Sequence, residues 1–222
     1  VTMSVLLTTA DILTRVGDTL QDVASVRWTS AERKRYLLDG MVLAVDRLPG
    51  HGATTYATFA LAVGVEQQFV TDPSGTRMVS RIMDVIQNRT GSVVGKTIRR
   101  IAKDQLDTQR PYWMTEAPAV TIMYWMPSES EPRTFLVYPP AAAGASVRAK
   151  VSMIPNNADN LEVDDALRDA LYHYVVARCW AKDATYAQTS DAHMLEFNKE
   201  IERLLGADKL ADGRTQERQT TQ

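Results

Sequence analysis

The stretch most suggestive of chemistry is Gly91-Ser92-Val93-Val94-Gly95-Lys96-Thr97. It resembles a phosphate-binding P-loop, in which backbone N–H groups between two glycines wrap a β-phosphate and a lysine reaches the next one. The P-loop places four residues between its glycines; here there are three. A helix should follow, yet Ile98-Arg99-Arg100-Ile101 reads as a strand. A glycine-bounded hairpin turn fits the spacing better. His51, His173 and His193 lie far apart in sequence, and none has a suitable metal-ligand partner three or four residues on. Asp169 precedes His173 by one helical turn, which suggests a helix-surface pair. Cys179 falls on an apolar helix stripe and reads as a buried thiol rather than a nucleophile. No Gly-x-Ser-x-Gly elbow supports a serine hydrolase. No catalytic residue, metal site or cofactor follows from these residues, and the chain does not read as an enzyme.

Two groups remain as interaction candidates. Lys96, Arg99 and Arg100 form a short basic run, which suits a solvated strand face or a salt-bridging contact better than nucleic acid. Tyr112, Trp113, Tyr124 and Trp125 are aromatic residues of the kind enriched at interface hot spots. They serve core packing equally well.

Composition narrows the class. The chain has 222 residues, a net charge of −2 and a single cysteine. Its length suits one domain, or one with an insertion. Near-neutral charge argues against a broad nucleic-acid face and against a polybasic membrane anchor. One cysteine cannot form an internal disulfide. No apolar run approaches the roughly 20 residues of a membrane-spanning helix. The opening VTMSVLL is short and lacks the basic flank of a signal peptide.

The elements that must position these groups begin with two helices. Thr8–Ala24 places Ile12, Val16, Leu20 and Val23 on one face, with Thr8 or Thr9 as cap. Thr29-Ser30-Ala31-Glu32 has the form of a capping box, followed by the stripe Leu37, Met41, Ala44 and Leu48. Pro49-Gly50-His51-Gly52 ends that helix. The middle then changes period. Phe59, Leu61, Val63 and Val65 alternate as in a half-buried strand. Arg77–Ile86 fits either a strand or a helix, with the strand favoured, and Thr97–Ile101 reads as a short strand. Ala102–Gln109 fits a single helical turn. Val120–Met126 is apolar on both faces, which requires cover on both sides. Arg133–Tyr138 returns as its hairpin partner, and Val147, Ala149, Val151 and Met153 form an amphipathic strand.

The chain's organising feature is Leu161–Leu205, read as a long helix, a short break near Thr189-Ser190-Asp191, and a second helix. The first would reach roughly 37 Å if about 25 residues were helical. It carries two apolar stripes, one of them Tyr172, Val176, Cys179 and Trp180. The second carries Met194, Phe197, Ile201 and Leu204, with Gly206 as the expected C-cap. The predicted fold is α+β, with terminal helices in an antiparallel bundle and a β-rich insertion in the middle of the chain. Its expected divisions are 1–54, an N-terminal helix pair; 55–156, the insertion; 157–206, a C-terminal helix pair; and 207–222, a polar flexible tail.

Several segments in order resemble a family of tailed-bacteriophage head-to-tail adaptors, which sit between portal and tail. They are ADILTRVGDTLQDVASVRWTSAERKRYLLDGMVLAVDRLPG, DQLDTQRPYW, PRTFLVYPP and LRDALYHYVVARCWAKDATYAQTSDAHMLEFNKEIERLLG. The resemblance spans most of residues 8–206 and carries no catalytic motif. It implies a virion protein of the phage neck or tail, made in the host cytoplasm. It further implies a homo-oligomeric ring, commonly of about twelve subunits, docked on the portal protein and contacting tail nozzle or tail fibre proteins. Genome DNA would pass through the channel without sequence-specific binding. Subunit or partner contacts would fall on Tyr112, Trp113, Tyr124, Trp125, Arg99 and Arg100. The tail, through Leu210, Arg214 and Arg218, would reach the portal. The alternatives are another tail component, such as a nozzle or tail-completion protein, and more remotely a nucleotide- or DNA-binding protein using residues 91–100.

Overall fold

Thr8 and Asp11 cap each other. The Asp11 N–H donates to the Thr8 hydroxyl (3.3 Å) and the Thr8 N–H donates to the Asp11 carboxylate (3.0 Å). From this capping box helix α1 runs over Thr9–Thr19. The computed structural model describes residues 8–91, 93–128, 130–156, 159 and 163–220, without the side chains of 209–220. Ile12, Val16 and Leu20 are buried as their spacing predicts, but Val23 is 76% exposed. The helix stops earlier than expected because the chain coils around Asp22. That carboxylate accepts from the N–H groups of Val26 (2.8 Å), Arg27 (3.1 Å) and Trp28 (2.9 Å). Gln21 and Ser25 take positive φ angles of 52° and 57° to close the loop.

Helix α2 (Ser30–Arg47) starts where the sequence placed it, with the Thr29 hydroxyl accepting from the Glu32 N–H (3.3 Å). No reciprocal bond back to Thr29 is made. Glu32 instead pairs with Lys182 (2.5 Å) and accepts from the Tyr36 hydroxyl (3.0 Å). Leu37, Met41, Ala44 and Leu48 are all buried. The short helix α3 spans Lys103–Gln109.

The C-terminal helices differ from expectation at both ends. Asp165–Leu167 is a 3-10 turn, and helix α4 covers only Arg168–Trp180. Thirteen residues give roughly 20 Å, about half the expected rod. The break comes earlier because Asp183 caps a new turn, accepting from the Thr185 N–H (3.0 Å). Helix α5 then runs Ala187–Thr220, so Thr189, Ser190 and Asp191 lie inside it. Ser190 donates to the Ala177 carbonyl (3.0 Å), and Phe197 packs on Tyr174 with ring centroids 5.2 Å apart. Contacts descend on α4 as they ascend on α5, so these two helices are antiparallel. Those of α1 ascend with α4: Arg15 meets Asp169 (2.6 Å) and Thr19 meets Tyr172 (2.9 Å).

Gly206 does not end α5. A helix interior tolerates glycine at about 1 kcal/mol, and Ala207, Lys209, Leu210 and Ala211 around it are good helix formers. Asp208, two residues past the expected cap, also meets the His51 ring at 3.2 Å. The segment expected to be a flexible tail is therefore helical through Thr220.

Helices α1, α2, α4 and α5 share one core that includes Leu37, Leu171, Val175 and Phe197. The stripe left over on α4 belongs to it. Tyr172, Val176 and Cys179 are buried, and Trp180 packs edge-on to Trp28 at 5.2 Å. Trp28 closes this corner by donating Nε1–H to the Cys179 carbonyl (2.9 Å). One compact unit holds these helices, from the segments before Thr54 and after Ile154; Thr54–Ile154 form a second.

The second unit contains two four-stranded sheets. One has β1 (Thr54–Ala60), β8 (Ser146–Met153), β3 (Val79–Thr90) and β4 (Val93–Thr97), in that order. The other has β2 (Gly64–Gln68), β7 (Thr134–Ala141), β6 (Tyr124–Pro127) and β5 (Arg99–Arg100). Only the β5–β6 pair among these is parallel. Val147, Ala149, Val151 and Met153 face inward from β8, as their alternation predicts, and share a core with Phe59, Val85, Trp125 and Phe135.

Two expected strands are interrupted, each by a buried amide. Phe59–Val65 splits between the sheets. Gln67, 2% exposed, bonds the Ala62 N–H (2.7 Å), the Ala62 carbonyl (2.8 Å) and the Gly64 carbonyl (3.0 Å). Leu61 stays inside, while Val63 is pushed out. Val120–Met126 is strand only from Tyr124. Asn88 of β3 takes both backbone groups of Ile122, accepting from its N–H (2.7 Å) and donating to its carbonyl (2.8 Å). Val120 and Met123 consequently face solvent, and no cover on both sides is needed.

Candidate functional site

The P-loop lookalike is a hairpin. Thr90 pairs with Val93 across the turn, and Gly91 takes a φ of +58°; Ser92 lies outside the described residues. Strand β4 follows where a phosphate-binding loop would lead into a helix. Gly95 has a packing role instead. A Cβ there would lie 2.9 Å from Asn88 Cβ and 3.0 Å from the Asn88 backbone oxygen. The glycine lets β4 approach the same asparagine that holds Ile122.

The aromatic group divides. Trp113 is 1% exposed and Trp125 2%, so neither offers surface to a partner. Trp113 joins a small core with Leu106, Met126 and Tyr138, and its Nε1–H donates to Asp107 (2.7 Å). This second hydrogen bond, after that from Lys103, holds the Asp107 carboxyl below the usual carboxylate value. Trp125 belongs to the main sheet core. Tyr124 is half-buried, its ring stacked on Tyr138 at 6.1 Å. Tyr112 is 81% exposed. Arg99 and Arg100 are exposed on β5, at the edge of its sheet. The Arg99 N–H donates to the Met123 carbonyl (3.0 Å), so exposed Met123 sits beside the basic pair. Arg100 lies 5.7 Å over the Trp125 ring. Beside them a cleft of about 900 Å³ is lined by charges of both signs, Glu66, Arg100, Lys103 and Glu131 among them. The surviving surface set is therefore Arg99, Arg100, Tyr112 and Tyr124. Leu210, Arg214 and Arg218 lie on the last turns of α5, and their side chains are outside the described ones.

The histidines are not all separate. His173 Nδ1 lies 2.9 Å from His193 Nδ1, across the α4–α5 contact. Sequence reasoning missed this pair because its 20-residue separation becomes a contact only once the position of the break is known. Burial holds both imidazoles below the usual histidine value, and the charge of His173 adds to the effect on His193. Asp169, the suggested partner of His173, pairs with Arg15 instead. Among the described residues no group of three or more side chains is arranged to hold a metal ion. Cys179 is fully buried, and burial pushes its thiol up to about 12. A group so protonated is no nucleophile at neutral pH.

The structure thus presents two packed units with exposed sheet edges and a long terminal helix. The sequence comparison gives its class. The chain matches the SU10 adaptor protein family over residues 7–221 and belongs to that family of phage head-to-tail adaptors. Membership makes it a phage virion component. No curated protein matches the chain. Among the described residues no helix is long and apolar enough to cross a membrane.

Proposed function

We propose that copies of this chain close into a ring below the portal and join the DNA-filled head to the tail. The observation that carries this reading is the family match, which covers both compact units. The ring body is the helical unit, acting as a bundle of the terminal helices. Neighbouring subunits, commonly about twelve, meet side by side through a heterologous contact that closes on itself. Such a contact should bury roughly 1,200–2,000 Å². Arg99, Arg100, Tyr112 and Tyr124 lie on its rim or on the face toward tail nozzle or fibre proteins. Trp113 and Trp125 support that surface from beneath. The last turns of α5, with Leu210, Arg214 and Arg218, bind the portal.

A net charge of −2 suits a bore through which DNA slides. A strongly basic lining would bind phosphates and retard passage. The chain acts here without catalysis and without a cofactor. A tail nozzle or tail-completion protein is the alternative, and its partner would be the adaptor rather than the portal. Purified protein mixed with its portal and weighed by native mass spectrometry tests the proposal. A complex with one copy per portal subunit, lost when the chain is cut after Gly206, is the expected result. Absence of any complex with the intact chain overturns it.

A further inference from the structure

The chain's charge is unevenly divided. Thr54–Ile154 holds eleven Lys and Arg against eight Asp and Glu, a net +3, while the remaining residues carry −5; together these make the chain's −2. Part of the positive excess lies on one face of the β1-β8-β3-β4 sheet. On β8, Val147, Ala149 and Val151 point into the core, so Arg148 and Lys150 between them point out. Antiparallel partners share a face. Arg148 stands opposite Thr58 and Gln87, Lys150 opposite Tyr56 and Asp84, and the outward Ser146 and Ser152 stand opposite Arg89 and Arg81. Four cations therefore share this face with one acid, Asp84. Among the described residues Arg81, Arg148 and Lys150 form no ion pair. Two exposed apolar groups flank them: Tyr56 on β1, 53% exposed, and Val94 on β4, 61% exposed and opposite Arg89.

The helical unit carries a surface of opposite charge. Beside the buried stripe of α5 runs a second at helical spacing, Asp191, Leu195, Asn198, Glu202 and Leu205. Leu195 is 54% exposed and Leu205 38%. The nearby cations of α5 are already used, Lys199 by Glu196 (2.6 Å) and Arg203 by Glu200 (2.8 Å). Arg47 reaches the stripe but donates to the Asn198 side-chain oxygen (2.7 Å). Asp191 and Glu202 are exposed and form no ion pair among the described residues. The two acids lie roughly 16 Å apart along the helix axis. Four strands at about 4.8 Å spacing make the sheet face roughly 14 Å wide, so one helix can lay both acids across it.

We propose that the outer face of this sheet in one copy packs on the Asp191–Leu205 stripe of α5 in the next copy. The inference rests on the ring reading, because it names the two faces of the side-by-side contact. Charge complementarity selects a second copy as the occupant: a basic sheet face and an acidic helix face on one chain repeat from copy to copy as a heterologous contact. Leu195 and Leu205 find apolar cover on Tyr56 and Val94, and the ion pairs form around them.

Sedimentation of the full chain over a range of concentrations tests the contact. Self-association should weaken at least about tenfold between about 0.1 and about 1 M sodium chloride, as the Debye length shrinks from about 10 to about 3 Å. Arg148→Glu with Lys150→Glu reverses the sheet face, and Asp191→Lys with Glu202→Lys reverses the stripe. Each double variant alone should associate at least about tenfold more weakly than the parent chain. An equal mixture of the two should regain parental association, because each then offers the other a complementary face. A folding defect would not be repaired by mixing, and circular dichroism of each variant checks for one directly. Association of either variant equal to the parent's, or no recovery on mixing, overturns the proposal. A parent chain that stays monomeric at every concentration also overturns it, whereas the ring reading falls only if the portal assembles no ring either. Binding of a short DNA duplex that Arg148→Glu with Lys150→Glu abolishes, with self-association unchanged, would assign the sheet face to nucleic acid and overturn the proposal.

Discussion

Asn88→Ala is the most informative single change in the sheet unit. Asn88 is 6% exposed, and its side chain makes three hydrogen bonds, to the Ile122 N–H, the Ile122 carbonyl and the Lys96 carbonyl (2.9 Å). Ile122 is 0% exposed, so its backbone groups have no ready access to water. Each buried group left unpaired costs about 1–3 kcal/mol. The Lys96 carbonyl belongs to exposed β4 and can recover a water partner. Two stranded groups together span about 2–6 kcal/mol, and a loss of about 3 kcal/mol, in the lower half of that range, is expected. For a unit of this size that lowers the melting temperature on the order of 10–20 °C. Urea unfolding followed by tryptophan fluorescence measures the loss, and hydrogen exchange at the Ile122 amide locates it. Asn88→Asp should fare no better at neutral pH, since it loses both donors and buries a charge. A loss below about 1 kcal/mol, or an Ile122 amide as protected as in the parent protein, would refute the reasoning.

Other changes probe other contacts. Gly95→Ala should destabilise the same unit by about 1–3 kcal/mol, because the new methyl meets the Asn88 backbone oxygen, which cannot rotate away; unchanged urea midpoints would count against it. Cys179 should resist Ellman's reagent at pH 8 until the chain is unfolded, given its burial and raised thiol value; rapid labelling of the native protein would contradict this. For His173 and His193, folded values below the ordinary 6.5 mean that the unfolded chain takes up protons first. Stability should then fall as pH drops below about 6.5 and go on falling until the folded pair is protonated. His193→Gln should flatten that slope in urea midpoints taken at pH 8, 6 and 5, and an unaltered slope would exclude the pair as its cause.

The apolar periods of α2 and β8 were legible because burial on one face alone decides them. Leu37, Met41, Ala44 and Leu48 recur at helical spacing, and Val147 to Met153 alternate, with no competing polar partner. Where a polar side chain captured the backbone, the pattern misled. Asp22 ended α1 before Val23, Gln67 divided Phe59–Val65 between two sheets, and Asn88 replaced a strand partner for Ile122. Such captures depend on residues distant in sequence or on loop geometry, and hydropathy does not record them. Gly206 misled in the opposite sense, since a cap glycine and a tolerated interior glycine look alike in sequence. The candidate interface was half legible. Aromatic type marked Tyr112 and Trp113 equally, yet the Trp113 indole found Asp107 and Tyr138 within its own unit while Tyr112 stayed outside.

Imaging of the assembled virion neck by electron cryomicroscopy tests the ring most directly. The account predicts a closed ring of this chain between portal and tail, with the last turns of α5 against the portal and a bore wide enough for duplex DNA. Density for the chain elsewhere in the tail, or an assembly that does not close, would contradict it.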